Sequence, residues 1–225
     1  MAIKTFNVMQ GTDEWLDLRR GVLTASEMKL IVTPTLKVAD NDKTRQHLYE
    51  LAAQRISGYT EPSYISDDML RGQEDEIYAR EAYAEHFAPV TTVGFITNDK
   101  WGFTLGYSPD FLVGDDGQGE SKSRRQKYQI ETIINDEMPA EFAVQIQTGL
   151  LVTERAWCDF ISYSGGLPMF VKRIYPDDKT QQAIIEAARG FYEKLDSKLA
   201  EFAARMAAMP TIINTKRVIR EEIFV

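Results

Sequence analysis

Between residues 90 and 123 the chain passes through three aromatic and β-branched segments, VTTVGFIT, WGFTLGYS and PDFLVGDDGQGESKS. They are broken at Asn98-Asp99 and at 115–119. Short runs of this makeup, bounded by turn residues, predict a meander of strands. Helical periodicity brackets it on both sides. Residues 41–57 predict a helix with Leu48, Leu51, Ala52 and Ile56 on one face and Gly58 as its stop. Residues 66–87 predict a longer helix, with Asp67 and Asp68 in its first turn complementing the helix dipole. Upstream, residues 12–31 predict two short helices joined at Gly21, with Thr24 or Ser26 capping the second. Downstream, helices are expected over 126–135 and 139–152, then a strand pair across 165–168. A long helix over 177–209 carries an apolar stripe from Ile184 through Phe191 and Leu195 to Met206, which is core packing. This order restricts the chain to an α/β fold, a mixed central sheet flanked by helices. At 225 residues, one domain spanning 1–225 is expected, ending in the long helix.

Composition narrows the function classes. Hydrophobic residues at 44% and charged residues at 27% suit a soluble domain with a real core. No apolar run reaches the roughly 20 residues that span a bilayer, and the N-terminal MAIKTFNVMQGTDEW has no signal-peptide apolar region. The single cysteine, Cys158, leaves no disulfide framework, Cys-rich zinc site or four-Cys cluster. A cytoplasmic protein is expected. A net charge of −8 argues against one that coats nucleic acid indiscriminately. Local basic clusters remain, at Arg19-Arg20 and at Lys122, Arg124, Arg125 and Lys127, and each reads either as a solvated face or as part of a channel.

The last strand segment carries the chemistry. In a strand, residues i and i+2 share a face, so Glu120 and Lys122 point one way and Ser121 the other. Asp110 begins the preceding strand and can lie opposite them. Two carboxylates and an ammonium would then converge beside the sheet. Mg²⁺ prefers oxygen ligands and is typically held by one or two carboxylates together with substrate phosphate. A metal so held polarises a phosphodiester and lowers the pKa of a bound water. Lys122, beside two carboxylates, is expected to orient that water rather than to act as its base. On these residues alone a polar hairpin with an exposed lysine reads equally well.

The flanking segments add a resemblance. Pro109-Asp110 followed by Glu120-x-Lys122 resembles the PD-(D/E)xK nuclease signature. LRRGVLTASE (18–27), RGQEDEIYARE (71–81), the SPD at 108–110 and VQIQTGLLVT (144–153) are similar, in that order, to motifs of the bacteriophage lambda exonuclease family, the YqaJ-type viral recombinases. The four blocks cover about residues 12 to 155.

The resemblance implies a PD-(D/E)xK restriction-endonuclease-like core. It implies Asp110, Glu120 and the main-chain carbonyl of Ser121 as metal ligands, with Glu76 reaching a second metal or its water. It implies Lys122 as the catalytic lysine, and Arg19, Ser26, Ser108 and Gln145 as a pocket for the terminal 5′-phosphate. Met69 falls where the family places an apolar wedge between terminal bases. The alternatives are ordinary ones: Glu76 as an exposed acid, Arg19 paired with Asp13 or Asp17 with Arg20 in its place, Gln145 solvating a helix face, and Ser108 as a turn residue. His47 and His86, away from every motif, are expected at the surface or packed, and Trp15, Trp101 and Trp157 in the core. The family usually has an apolar residue between the Glu and the Lys, where this chain has Ser121.

The activity so implied is a Mg²⁺-dependent exonuclease, with Mn²⁺ substituting, that degrades one strand of linear duplex DNA 5′ to 3′ and leaves a 3′ overhang for recombination. A ring-shaped homotrimer, a single-strand annealing partner and a phage or prophage origin in a bacterial host come with it. A structure- or site-specific endonuclease on the same core, or a non-catalytic DNA-end-binding protein, are the alternatives.

Overall fold

The computed structural model describes residues 3–62 and 66–217; the outermost residues of the expected 1–225 unit lie outside them. Strand β1 (Lys4–Phe6) leads into α1 (Asp13–Arg19), which Thr12 starts by accepting the Trp15 amide on its side chain. A two-residue strand, β2 (Leu23–Thr24), runs into a 3₁₀ segment over Ala25–Leu30. The second short helix expected here is thus only a tight turn. Leu23 and Thr24 are taken up by parallel pairing with Leu105 and Gly106, and Thr24 caps the 3₁₀ segment. Helices α2 (Asp42–Ser57) and α3 (Asp67–His86) come next. Asn41 caps the first and Ser66 the second, and Gly58 closes α2 in the left-handed conformation.

The meander is then built from β3 (Phe95–Asn98), β4 (Leu105–Tyr107), β5 (Phe111–Val113) and β6 (Gly117–Ser123). After it come α4 (Gln126–Asn135), α5 (Ala143–Thr153), β7 (Trp157–Tyr163), β8 (Phe170–Ile174) and the thirty-residue α6 (Asp178–Ala207). The helix expected from Pro139 begins with a 3₁₀ turn at Ala140 and becomes α-helical at Ala143.

The strands form two four-stranded mixed sheets, β1-β3-β4-β2 and β5-β6-β7-β8, where one central sheet was expected. The division falls at Ser108-Pro109-Asp110. Proline has no N–H to give a ladder, and the chain crosses there from the end of β4 to the start of β5. Thr91, in the segment ahead of β3, forms an isolated antiparallel bridge with Leu112 of β5.

Helix α5 sits against both sheets. On the first it joins α2 and α6 around Leu23, Met28, Leu51, Leu105, Val152, Ile184 and Leu195, all buried. On the second, its Ile146 and Leu150 pack on Cys158 and Phe160. The opposite face of that sheet is covered by α3, through Ala79 and Tyr83 on Phe111, Val113 and Ile161. An apolar face so covered on both sides explains why β7 reads as a hydrophobic run rather than an alternation. Among the described residues no helix is long and apolar enough to cross a membrane.

Candidate active site

The Pro109 crossing places the acidic end of β5 beside the middle of β6. Phe111 is paired with Gly119, so Asp110 stands next to Glu120 and Ser121. That register is tight: a Cβ at Gly119 would lie 2.1 Å from the Phe111 ring. Asp110 Oδ2 accepts both the amide and the hydroxyl of Ser121, the hydroxyl at 2.8 Å. The serine that departs from the family pattern therefore acts through its side chain as well as its backbone.

Glu120 is 2% exposed and fully bonded. Lys122 Nζ donates to its Oε1 at 2.7 Å, Gln145 on α5 donates to the same oxygen, and the Tyr107 hydroxyl donates to Oε2 at 2.7 Å. Glu76 projects from α3, paired with Arg80 at 3.3 Å.

The electrostatics follow from this crowding. Burial pushes the Asp110 carboxyl well above the ordinary carboxylate range, and the negative charges of Glu120 and Glu76 push it further. Burial also raises Glu76, with Arg80 opposing and Glu120 adding. For Lys122, burial disfavours the ammonium, but Glu120, Asp110 and Glu76 together outweigh it and hold the pKa above that of a free lysine. The lysine is therefore a fixed cation and a hydrogen-bond donor.

The donor set is all oxygen, negatively charged and mutually repelling, which suits a hard divalent cation. Among the described residues no group of three or more His, Cys, Asp or Glu side chains is placed to hold a metal ion by itself. Sites that hold a hard divalent cation with one or two carboxylates leave water and substrate to complete its coordination.

These groups line one wall of a cavity of about 220 Å³. The other wall is built by α1, β2 and the turn after it: Trp15, Arg19, Thr24, Ala25 and Ser26, with Gln10 and Ser108 at its edge. Arg19 is the central feature. Its guanidinium stacks over the Trp15 ring at 4.3 Å and donates to the hydroxyls of Ser108 at 3.4 Å and Thr24 at 3.3 Å. Burial lowers its pKa, with Glu27 acting in the opposite direction. The neighbouring Arg20 takes Asp17 as its ion-pair partner. Arg19 has no carboxylate within salt-bridge distance among the described residues, and its half-buried guanidinium donates only to the two hydroxyls.

A larger cleft of about 620 Å³, between α2 and the far end of α6, shares no lining residue with this one.

The sequence model of the YqaJ-like viral recombinase domain matches residues 14–156, the stretch that holds every residue lining the smaller cavity except Gln10. The chain belongs to the YqaJ-like viral recombinase family. Crystal structures of an alkaline exonuclease from Laribacter hongkongensis (LHK-Exo) agree. The enzyme in complex with dAMP is 35% identical at a TM-score of 0.77, and the other structure 34% at 0.76. Each alignment covers 88% of this chain and 98% of that one. A phage-related exonuclease from Haemophilus somnus 129PT shares the fold at a TM-score of 0.54, at 12% identity over 79% of this chain and 96% of its own. No curated protein sequence matches the chain.

Of the residues expected at a YqaJ-type site, Arg19, Ser26, Ser108, Asp110, Glu120, Lys122 and Gln145 line the cavity together. Ser121 bonds Asp110 from behind, and Glu76 acts on the carboxylates from α3. Met69 does not line it and is 48% exposed on the first turn of α3. Gln145 faces the Glu120 carboxylate here rather than the Arg19 side.

Five lining residues were missed, Gln10, Trp15, Thr24, Ala25 and Tyr107. Trp15 was assigned to the core, yet its indole donates to Ser108 at 2.9 Å and its face carries Arg19. Thr24, Gln10 and Tyr107 carry no spacing signal, since each is brought in by a different element. His47 is packed, at 3% exposed, and His86 is at the surface. The basic run after Glu120 is largely neutralised within the chain: Arg124 pairs with Glu141 and Arg125 with Asp68.

Proposed function

We propose that the protein is a Mg²⁺-dependent exonuclease that degrades one strand of linear duplex DNA from its end, 5′ to 3′, leaving a 3′ single-stranded overhang for recombination. The observation that carries this reading is that Arg19, which bonds only hydroxyls, lines the same small cavity as Asp110, Glu120 and Lys122. A hydrolytic centre beside a pocket for an anion suits an enzyme that measures its cut from a phosphorylated end. The fit of the same chain onto an enzyme named an alkaline exonuclease supports it.

In this reading Arg19, Ser26 and Ser108 hold the terminal 5′-phosphate, the guanidinium forking onto two of its oxygens. Asp110, Glu120 and the Ser121 carbonyl would hold Mg²⁺, with Glu76 reaching a second ion or its water from α3. The ion, when bound, polarises the scissile phosphodiester and supplies a reactive water at neutral pH. Lys122, kept charged by its carboxylate neighbours, orients that water and offsets the charge developing on the phosphate. Gln145 reaches Glu120 from α5, on the carboxylate side of the pocket. Met69, on the exposed start of α3, contacts the terminal bases. Mn²⁺ replaces Mg²⁺.

Residues 1–225 act as one nuclease domain in the cytoplasm of a bacterial host, encoded by a phage or prophage. Three copies form a ring around the duplex, with basic side chains toward the channel, so that topology holds a protein of net charge −8 on DNA. A single-strand annealing protein receives the overhang.

The test is digestion of linear and closed-circular duplex with Mg²⁺ or EDTA, with and without a 5′-phosphate. Nucleotide release from linear ends alone, dependent on metal and faster with the 5′-phosphate, is the expected result. Cutting of closed circles would make the protein an endonuclease, and no release from any substrate would make it a non-catalytic end-binding protein. Light scattering reads the trimer directly.

A further inference from the structure

The Arg19 site raises a question of charge balance. A buried guanidinium without a counter-ion is costly, while a carboxylate bonded directly to it would occupy the face that an anion needs. The structure resolves the conflict with one intervening hydroxyl. Thr24 Oγ1 accepts from Arg19 Nη2 at 3.3 Å and donates to Glu27 Oε2 at 2.7 Å. The acid is therefore outside salt-bridge contact with Arg19, yet no more than about 6 Å from it, a separation at which opposite charges still interact strongly away from bulk water.

Glu27 is held where it stands. The same Oε2 accepts the Thr24 amide at 3.1 Å, closing a capping box at the start of the 3₁₀ turn. His47, buried on α2, lies 3.8 Å from that oxygen through Nε2. Its other ring nitrogen meets Glu50 at 3.1 Å. The sign of the Glu27 effect on Arg19 is that of a counter-charge, opposing the loss of the guanidinium proton on burial.

We infer that Glu27 is a positioning residue of the anion site: a counter-ion set one hydroxyl behind Arg19 that keeps the guanidinium oriented while moderating its hold on the terminal phosphate. The inference rests on the proposed reading of that site. It gives the acid a purpose beyond capping. An enzyme that shortens a strand stepwise must release the terminal phosphate after each cut, and a buried, wholly uncompensated arginine would hold it too tightly. Thr24 acts as the spacer, fixing how far back the negative charge sits.

The variant Glu27→Gln separates charge from capping, because glutamine at this position also completes a capping box. Removing the opposing charge is expected to tighten the grip on phosphate by about three- to tenfold, the range for a partly solvated charge pair at this distance. The readouts are inhibition by inorganic phosphate and the KM of linear duplex with a 5′-phosphate relative to the same duplex with a 5′-hydroxyl. For Glu27→Gln the inhibition constant and the phosphorylated-end KM should both fall, with kcat on phosphorylated ends falling as release slows. Damage to the fold would weaken binding, so a gain in affinity is a result that a purely structural role cannot give. Arg19→Ala should abolish both the phosphate inhibition and the preference between ends.

If the wild-type enzyme shows neither phosphate inhibition nor a preference between ends, the Arg19 reading falls and this inference with it. If the wild type shows both and Glu27→Gln leaves them unchanged or weakened, the Arg19 reading stands and the role assigned to Glu27 is wrong.

Discussion

Replacing Tyr107 by phenylalanine removes a single oxygen from the centre of the candidate site. The ring is fixed independently of its hydroxyl. It is buried in the first core and lies so close to α5 that a Cβ at Gly149 would come within 2.8 Å of it. Phenylalanine therefore keeps the packing. The variant loses the 2.7 Å hydrogen bond to Glu120 Oε2, the only one that oxygen receives among the described residues. A buried carboxylate oxygen left without a donor costs about 1–3 kcal/mol. At about 2–4 °C per kcal/mol for a chain of this length, the metal-free protein should melt about 2–12 °C lower. The second consequence concerns metal. Groups that orient a ligating carboxylate are worth about 10–100-fold in metal affinity or activity. The Mg²⁺ concentration for half-maximal nucleotide release should rise by about tenfold or more, while kcat at saturating Mg²⁺ changes less. The assay is release of acid-soluble nucleotide from linear duplex across a Mg²⁺ titration, beside thermal melts in EDTA. A melting point that drops as expected with an unchanged Mg²⁺ requirement would show that Glu120 is a structural acid, and would remove it from the metal site.

Asp110→Asn tests the electrostatics. The folded-state pKa of Asp110 is raised, chiefly by burial, so ionising it opposes folding. That cost is absent below the ordinary carboxylate range and grows as pH rises through it toward the folded value. In EDTA the variant should melt higher than wild type at neutral pH, by at least about 2–4 °C. The gap should close as pH falls and on adding Mg²⁺ to the wild type; a variant that melts lower at neutral pH refutes this. Lys122→Ala should reduce nucleotide release at least about 100-fold while duplex-end binding, read by fluorescence anisotropy, persists; digestion at the normal rate would exclude the lysine. Gly119→Ala drives a methyl into the Phe111 ring and so shifts the neighbour of Asp110. Overpacking of this kind costs about 1–3 kcal/mol, and the loss should appear in both the urea midpoint and the Mg²⁺ requirement, whereas a variant matching wild type would show that β5 adjusts freely.

Much of this was legible in the chain because it is local. Caps and stops such as Asn41, Ser66 and Gly58 act within a turn of themselves, so the boundaries of α2 and α3 could be placed from residue types. The alternation that sets Glu120 and Lys122 on one face needs only a strand, and their ion pair is its direct result. The second helix expected before residue 31 was misjudged for the converse reason. Leu23 and Thr24 become strand only because Leu105 and Gly106, far along the chain, are there to pair with them. The single sheet divided for a reason visible in Pro109, but its consequence depends on which strands find partners beyond it.

The sequence by itself determined the helices, the strand segments and the carboxylate–lysine cluster, since neighbours in the chain are neighbours in space within one strand or one helical turn. It named Arg19 and Ser108 through family motifs, but could not tell whether Arg19 or Arg20 would turn inward. Tertiary structure decided that. It gave Asp17 to Arg20, laid Arg19 on Trp15, and set Thr24 and Glu27 behind it. It also brought Tyr107 and Gln145 onto the same buried carboxylate. A charge in the interior takes its properties from every dipole around it, and those dipoles arrive from segments that only the packed core brings together.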